Sequence, residues 1–262
     1  MTIETKDIYS TQGNKIGQQY IYKLDLEGKE ISNIILVHST VKSIESIELI
    51  NFSENELNQI AKYHVSKRKM QYILGRYAMK TAVNNLISHN NMIEIGYGLL
   101  GYPIVSRTNQ AIEITLSHCE NEAIAIAFNK DIMLGIDIEK INIERQDVLE
   151  KVTTNREHII NEKINLPSIT FMTLIWTAKE ALSKAIKTGF TVDMEIFQVK
   201  NIFEKGGVYY IDFLYFPTFS AIGKVVKDKI VTIAYVKKID MSNYVLNVNY
   251  QMESTDNYLI NY

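Results

Sequence analysis

The chain has 262 residues, 46% hydrophobic and 22% charged, with a formal net charge of −2. This is enough chain for one large domain or two of about 130 residues, and its charge balance argues against a nucleic-acid track or an anionic membrane surface. No apolar run approaches the roughly 20 residues that cross a bilayer, and a single cysteine, Cys119, excludes an internal disulfide.

The opening MTIETKDIYS has no basic region followed by an apolar core, so no signal peptide and a reducing cytoplasm are expected. The first thirty or so residues are polar, with one strand-like patch at 18–24. NIILVHS (33–39) is a better strand, apolar and β-branched. Ser53 and Glu56 form a capping-box signal that starts a helix near 52–60. Residues 66–88 carry apolar side chains at helical spacing, Ile73, Tyr77, Val83 and Ile87 among them. Strands are predicted at 92–98, 111–117, 122–128 and 132–139. The second half repeats the pattern, with helical segments at about 144–163 and 168–188 and strands at 208–216 and 229–236.

Two pairs of segments are related by an offset of 107 residues. Ile126 and Ala127 lie over Ile233 and Ala234, while Ala78, Lys80 and Thr81 lie over Ala185, Lys187 and Thr188. A helix and a strand sharing one offset is the trace that duplication of an α+β unit leaves. The expected architecture is therefore α+β, with pseudo-symmetric halves at 1–131 and 132–262.

LGIDIEKI (134–141) places Asp137 and Glu139 two positions apart on a predicted strand, so both point to one face. Like charges so close raise each other's proton affinity unless a cation lies between them, and Mg²⁺ is the hard ion that one or two carboxylates and a phosphate hold. Taken alone, such a pair is more often a strand with one solvated face. WTAKEALSKAIKTGF (176–190) puts Trp176, Glu180, Lys184 and Lys187 on one helical stripe. Alone, it reads as a surface helix with a Glu180–Lys184 pair.

Together, Gly-Ile-Asp-Ile-Glu and Trp-x-x-Lys-Glu-Ala-x-x-Lys about forty residues later resemble the signature of the 4′-phosphopantetheinyl transferases. The doubled length resembles the surfactin-synthetase-activating class, built of two similar halves. Leu116-Ser117-His118 matches a third family motif. The resemblance implies an active site between the halves and transfer of phosphopantetheine from coenzyme A to a serine of an acyl- or peptidyl-carrier protein. Adenosine 3′,5′-bisphosphate would be released.

The resemblance further implies that Asp137, Glu139 and Glu180 hold Mg²⁺. Glu180 has a second candidate duty as base, and Lys184 is placed to neutralise or protonate the departing phosphate. Coenzyme phosphates would be contacted by Lys67, Arg68, Arg76, Ser117, His118, Lys179 and Lys184. Many relatives have Gly-Lys-Pro where this chain has Gly101-Tyr102-Pro103, so one phosphate-contacting lysine is absent. A duplicated chain is expected to be a monomer. The competing readings are another Mg²⁺-dependent phosphoryl-transfer enzyme and an inactive carrier-docking protein. His38, His64, His89 and His158 show no metal-ligand spacing.

Overall fold

The computed structural model describes residues 2–9, 12–25, 33–41, 49, 51–87, 93–106 and 108–239, so Ser88, His89 and Met92 lie outside the described residues. The fold is mixed α+β, and the chain divides into two compact units, Met1–Ile132 and Met133–Tyr262. Among the described residues no helix is long and apolar enough to cross a membrane.

Unit 1 contains β1 (Thr2–Tyr9), β2 (Lys15–Asp25), β3 (Asn33–Val41), α1 (Glu54–Ala61) and α2 (Ser66–Ile87). It continues with β4 (Glu94–Tyr97), β5 (Pro103–Ser106), β6 (Ile112–Cys119) and β7 (Glu122–Asn129). Five strands form an antiparallel sheet in the order β1-β2-β3-β7-β6, and β4-β5 is a separate hairpin. α2 lays Met70, Leu74, Ala78 and Ala82 in one core with Ile35, Val37, Ala123 and Ala125 of the sheet. Ser53 caps α1 through the predicted reciprocal box, its amide donating to Glu56 at 2.8 Å.

Unit 2 contains β8 (Leu134–Lys140), α3 (Gln146–Val152), α4 (Asn155–Ile164), α5 (Ser168–Ala185), β9 (Val199–Lys205), β10 (Val208–Phe213), β11 (Phe219–Val226) and β12 (Lys229–Val236). Its sheet order is β8-β12-β11-β10-β9, all antiparallel. α5 is apolar along most of its length and packs Phe171, Leu174, Ala178 and Ala181 into a core with Ile211, Ala221, Ile230 and Ala234.

In each unit the long helix covers a strand paired with the last strand, β3 with β7 in unit 1 and β8 with β12 in unit 2. Leu36 opposes Ile126 in one, and Ile136 opposes Ile233 in the other. Matching Ile126 to Ile233 therefore sets Val37 over Asp137 and Ser39 over Glu139. The helices do not follow the 107-residue offset. α5 ends at Ala185, and Lys187 stands beyond it at φ +61, outside the helical stripe. The structural counterpart of Lys80 is Lys179, since each lysine pairs with the glutamate of a capping box, Glu56 or Glu157. The extra residues of unit 2 fall after its long helix.

The single helical segment predicted for 144–163 is broken. Thr153 is extended, and Thr154 begins α4 with a second capping box to Glu157. β1, β5, β9 and β11 were not predicted.

Candidate active site

Gly135 determines how closely α5 lies on β8. A Cβ there would overlap the Ala181 carbonyl and approach the Ala185 amide nitrogen to 2.5 Å. Without a side chain, the helix backbone rests directly on the strand. Positions 135, 137 and 139 share that face by strand alternation, so Asp137 and Glu139 stand beside α5. Lys184 of α5 donates to Asp137 Oδ1 at 2.7 Å and to the Ile136 carbonyl at 3.1 Å. Asp137 is only 3% exposed. It lies opposite Thr232 of β12, whose hydroxyl shares a 2.8 Å hydrogen bond with Thr177 of α5.

Glu139 is held at both oxygens. Trp176 Nε1 donates to Oε1 at 3.3 Å, and Arg145 donates to Oε2 at 2.6 Å. The Arg145 guanidinium also lies 5.3 Å from the Trp176 ring, a cation–π arrangement. Arg145 ends a short 3-10 turn (Ile143–Arg145) capped by Asn142. No motif in the sequence pointed to it; only its position six residues past Glu139 is suggestive.

Glu180 sits one turn before Lys184 on α5. Burial pushes its carboxyl up to about 7, with Lys184 pulling it down and Asp137 and Glu139 adding to the rise. Glu139 is also raised, first by burial and then by the Asp137 charge. The three carboxylates thus feel one another, with Lys184 and Arg145 as partial counterions.

This all-oxygen donor set fits a hard divalent cation in its chemistry. Among the described residues, however, no group of three or more His, Cys, Asp or Glu is preassembled to hold a metal. Lys184 and Arg145 already engage Asp137 and Glu139. An ion held by one or two carboxylates and completed by ligand phosphates is the arrangement this set suits.

Residues 133–234 match the 4′-phosphopantetheinyl transferase superfamily. The matched segment carries Asp137, Glu139, Arg145, Trp176, Glu180 and Lys184. The superfamily match supports a transferase that delivers phosphopantetheine to carrier proteins. No curated protein matches the chain.

Of the residues expected to touch coenzyme phosphates, two are otherwise engaged. The Lys179 ammonium is fully buried, paired with Glu157 at 2.9 Å and donating to the Val152 carbonyl at 2.6 Å. Its helix phase points it away from Lys184 and into the α3–α4 junction, which corrects the expectation. Arg76 is 1% exposed, donates to the Ile95 carbonyl at 2.6 Å and lies between the rings of Tyr72 and Tyr97. It fastens the β4–β5 hairpin to α2 rather than facing outward. Lys67 and Arg68 are exposed on the first turn of α2. On β6, Ser117 is buried and His118 exposed, as strand alternation requires of neighbours. The Tyr102 ring lies over Gly98 in the hairpin turn, leaving no room there for a Cβ.

Proposed function

We propose that this chain is a Mg²⁺-dependent transferase that moves 4′-phosphopantetheine from coenzyme A to a serine of an acyl- or peptidyl-carrier protein. The observation that carries this reading is the β8–α5 cluster. A carboxyl raised to about 7, Glu180, stands one helical turn from Lys184, which bonds Asp137, inside the segment that matches the superfamily.

The reaction is substitution at phosphorus, in which positioning and charge neutralisation supply most of the rate. The serine oxygen bonds to the pantetheine-side phosphorus, and the pyrophosphate P–O bond breaks to release adenosine 3′,5′-bisphosphate. Asp137, Glu139 and Glu180 are the proposed Mg²⁺ ligands, and the ion would neutralise the pyrophosphate. Glu180, whose proton affinity suits exchange near neutrality, is the candidate base for the serine proton. Lys184 is the candidate cation and proton donor for the departing phosphate. In unit 1, Lys67, Arg68, Ser117 and His118 are proposed to contact coenzyme phosphates. The proposed protein is a monomer working in the cytoplasm.

The test is direct. The protein is incubated with apo-carrier protein, coenzyme A and Mg²⁺, and the carrier is examined by intact mass. Addition of roughly 340 Da, one phosphopantetheine, is expected. No addition with any of fatty-acid, polyketide or peptide carriers would overturn the reading.

A further inference from the structure

Glu157 and Lys179 form an ion pair in which both side chains are 0% exposed. The pair is a junction of four elements. Glu157 Oε2 accepts from the Thr154 amide at 2.7 Å and from Lys179 at 2.9 Å, while Oε1 accepts from the Val199 amide at 2.8 Å. Lys179 also holds the Val152 carbonyl at the end of α3. The start of α4, the end of α3 and the start of β9 are thereby fastened to one lysine of α5.

That lysine immediately precedes Glu180. Successive residues on a helix are about 100° apart, so fixing the direction of Lys179 fixes the direction of Glu180. Trp176 and Lys184 lie one turn to either side of Glu180 and share its face. We infer that the buried Glu157–Lys179 pair is a positioning device that sets the rotation of α5 and so aims Trp176, Glu180 and Lys184 at Asp137 and Glu139. The inference rests on the proposed function for its catalytic meaning but not for its geometry.

Unit 1 supplies an internal comparison. Glu56 and Lys80 form the counterpart pair at 2.6 Å, and Lys80 holds the Asn51 carbonyl at 2.6 Å as Lys179 holds that of Val152. The residue after Lys80 is Thr81, which donates to Gln19 at 3.1 Å, and Gln19 donates to Ser39 at 2.8 Å. Ser39 and Thr81 occupy the places that Glu139 and Glu180 hold in unit 2. The same lock therefore serves a neutral network in one unit and a charged cluster in the other. A purely structural lock would behave alike in both.

Lys179→Met, Lys80→Met and the double variant Glu157→Gln/Lys179→Met are compared with the wild type in three measurements. These are thermal unfolding, emission and acrylamide quenching of Trp176, the only tryptophan, and Mn²⁺ binding by calorimetry. Both single lysine variants should lose thermal stability. Only the Lys179 variants should alter the Trp176 signal and weaken Mn²⁺ binding, by about 10- to 100-fold, the range for residues that orient metal ligands. Folded Lys179 variants with wild-type Trp176 emission and Mn²⁺ affinity would overturn the inference, as would an equal Trp176 change in Lys80→Met. If Lys179→Met does not fold, the double variant, which leaves no unpaired buried charge, decides by the same readouts. If the wild type binds no Mn²⁺, the proposed metal role falls, and the Trp176 signal alone decides the positioning.

Discussion

Lys184 and Asp137 are 47 residues apart in sequence and 2.7 Å apart at their charged atoms, joining the last turns of α5 to the centre of β8. The lysine side chain is 26% exposed and the aspartate side chain 5%. The ammonium is therefore the more accessible half of the pair. Its second bond, to the Ile136 carbonyl at 3.1 Å, also ties it to the strand.

Lys184→Ala should lower turnover by about 10²- to 10⁴-fold, the range for a lost proton donor. Lys184→Arg should restore the charge yet transfer a proton poorly, leaving most of the loss. Steady-state kinetics against coenzyme A distinguish the roles. A change confined to KM would make Lys184 a binding residue only.

Asp137→Asn keeps the side-chain shape and one acceptor oxygen for Lys184 but removes the charge. The fold should survive at a cost of about 1–3 kcal/mol, the usual penalty for a weakened buried polar contact. Transfer should be lost even at saturating Mg²⁺. Near-wild-type rates for this variant would remove Asp137 from the metal site.

Gly135→Ala tests the close packing of α5 on β8. The atoms a new Cβ would meet belong to the helix backbone, at Ala181 and Ala185, and cannot swing away as a side chain would. Overpacking of this kind costs about 1–3 kcal/mol, and activity should fall with it because the charged stripe is displaced. Gly96→Ala is the control, since a Cβ there meets nothing within 4 Å. Urea unfolding of both variants settles the matter; equal stability would mean that α5 is not held at this contact.

The charged cluster was legible in the sequence because two short periodicities, i and i+2 on β8 and i and i+4 on α5, each put their acids and lysines on one face. Capping chemistry was equally readable at Ser53 and Glu56. It was there to be read at Thr154 and Glu157 too, but the apolar spacing around them masked the break. Arg145 was not readable, because an arginine at the end of a 3-10 turn has no periodic signature. The duties of Lys179 and Arg76 were misjudged for a common reason. Sequence shows that a cation exists, whereas burial and the partner decide whether it faces ligand or core. β9, with Lys200, Asn201 and Glu204 exposed, alternates too little to stand out. The helix offset was misplaced because Lys80 matched Lys187 by letter, while the shared ion pair identifies Lys179.

Glu180 makes the most quantitative prediction. Its carboxyl ionises near 4.5 when unperturbed and at about 7 in the folded chain, chiefly through burial. Between those values the native protein holds a proton that the unfolded chain has released. The sign follows from linkage: stability owed to protonated Glu180 is complete below pH 4.5 and is lost as pH rises through 7. In metal-free protein, Glu180→Gln should therefore match the wild type at pH 4 and exceed it by about 1–3 kcal/mol at pH 8. Glu139 shifts in the same direction and is coupled to Glu180, so the difference reports Glu180 together with that coupling. A bound divalent cation favours the ionised carboxylate, so adding Mg²⁺ should shrink the gap at pH 8. At limiting Mg²⁺ the transfer rate should rise through pH 7, as a base that must first lose its proton requires. Urea unfolding of the two proteins from pH 4 to pH 8, with chelator and then with Mg²⁺, measures all of this. Parallel pH profiles would show that Glu180 ionises at an ordinary value and is not the base.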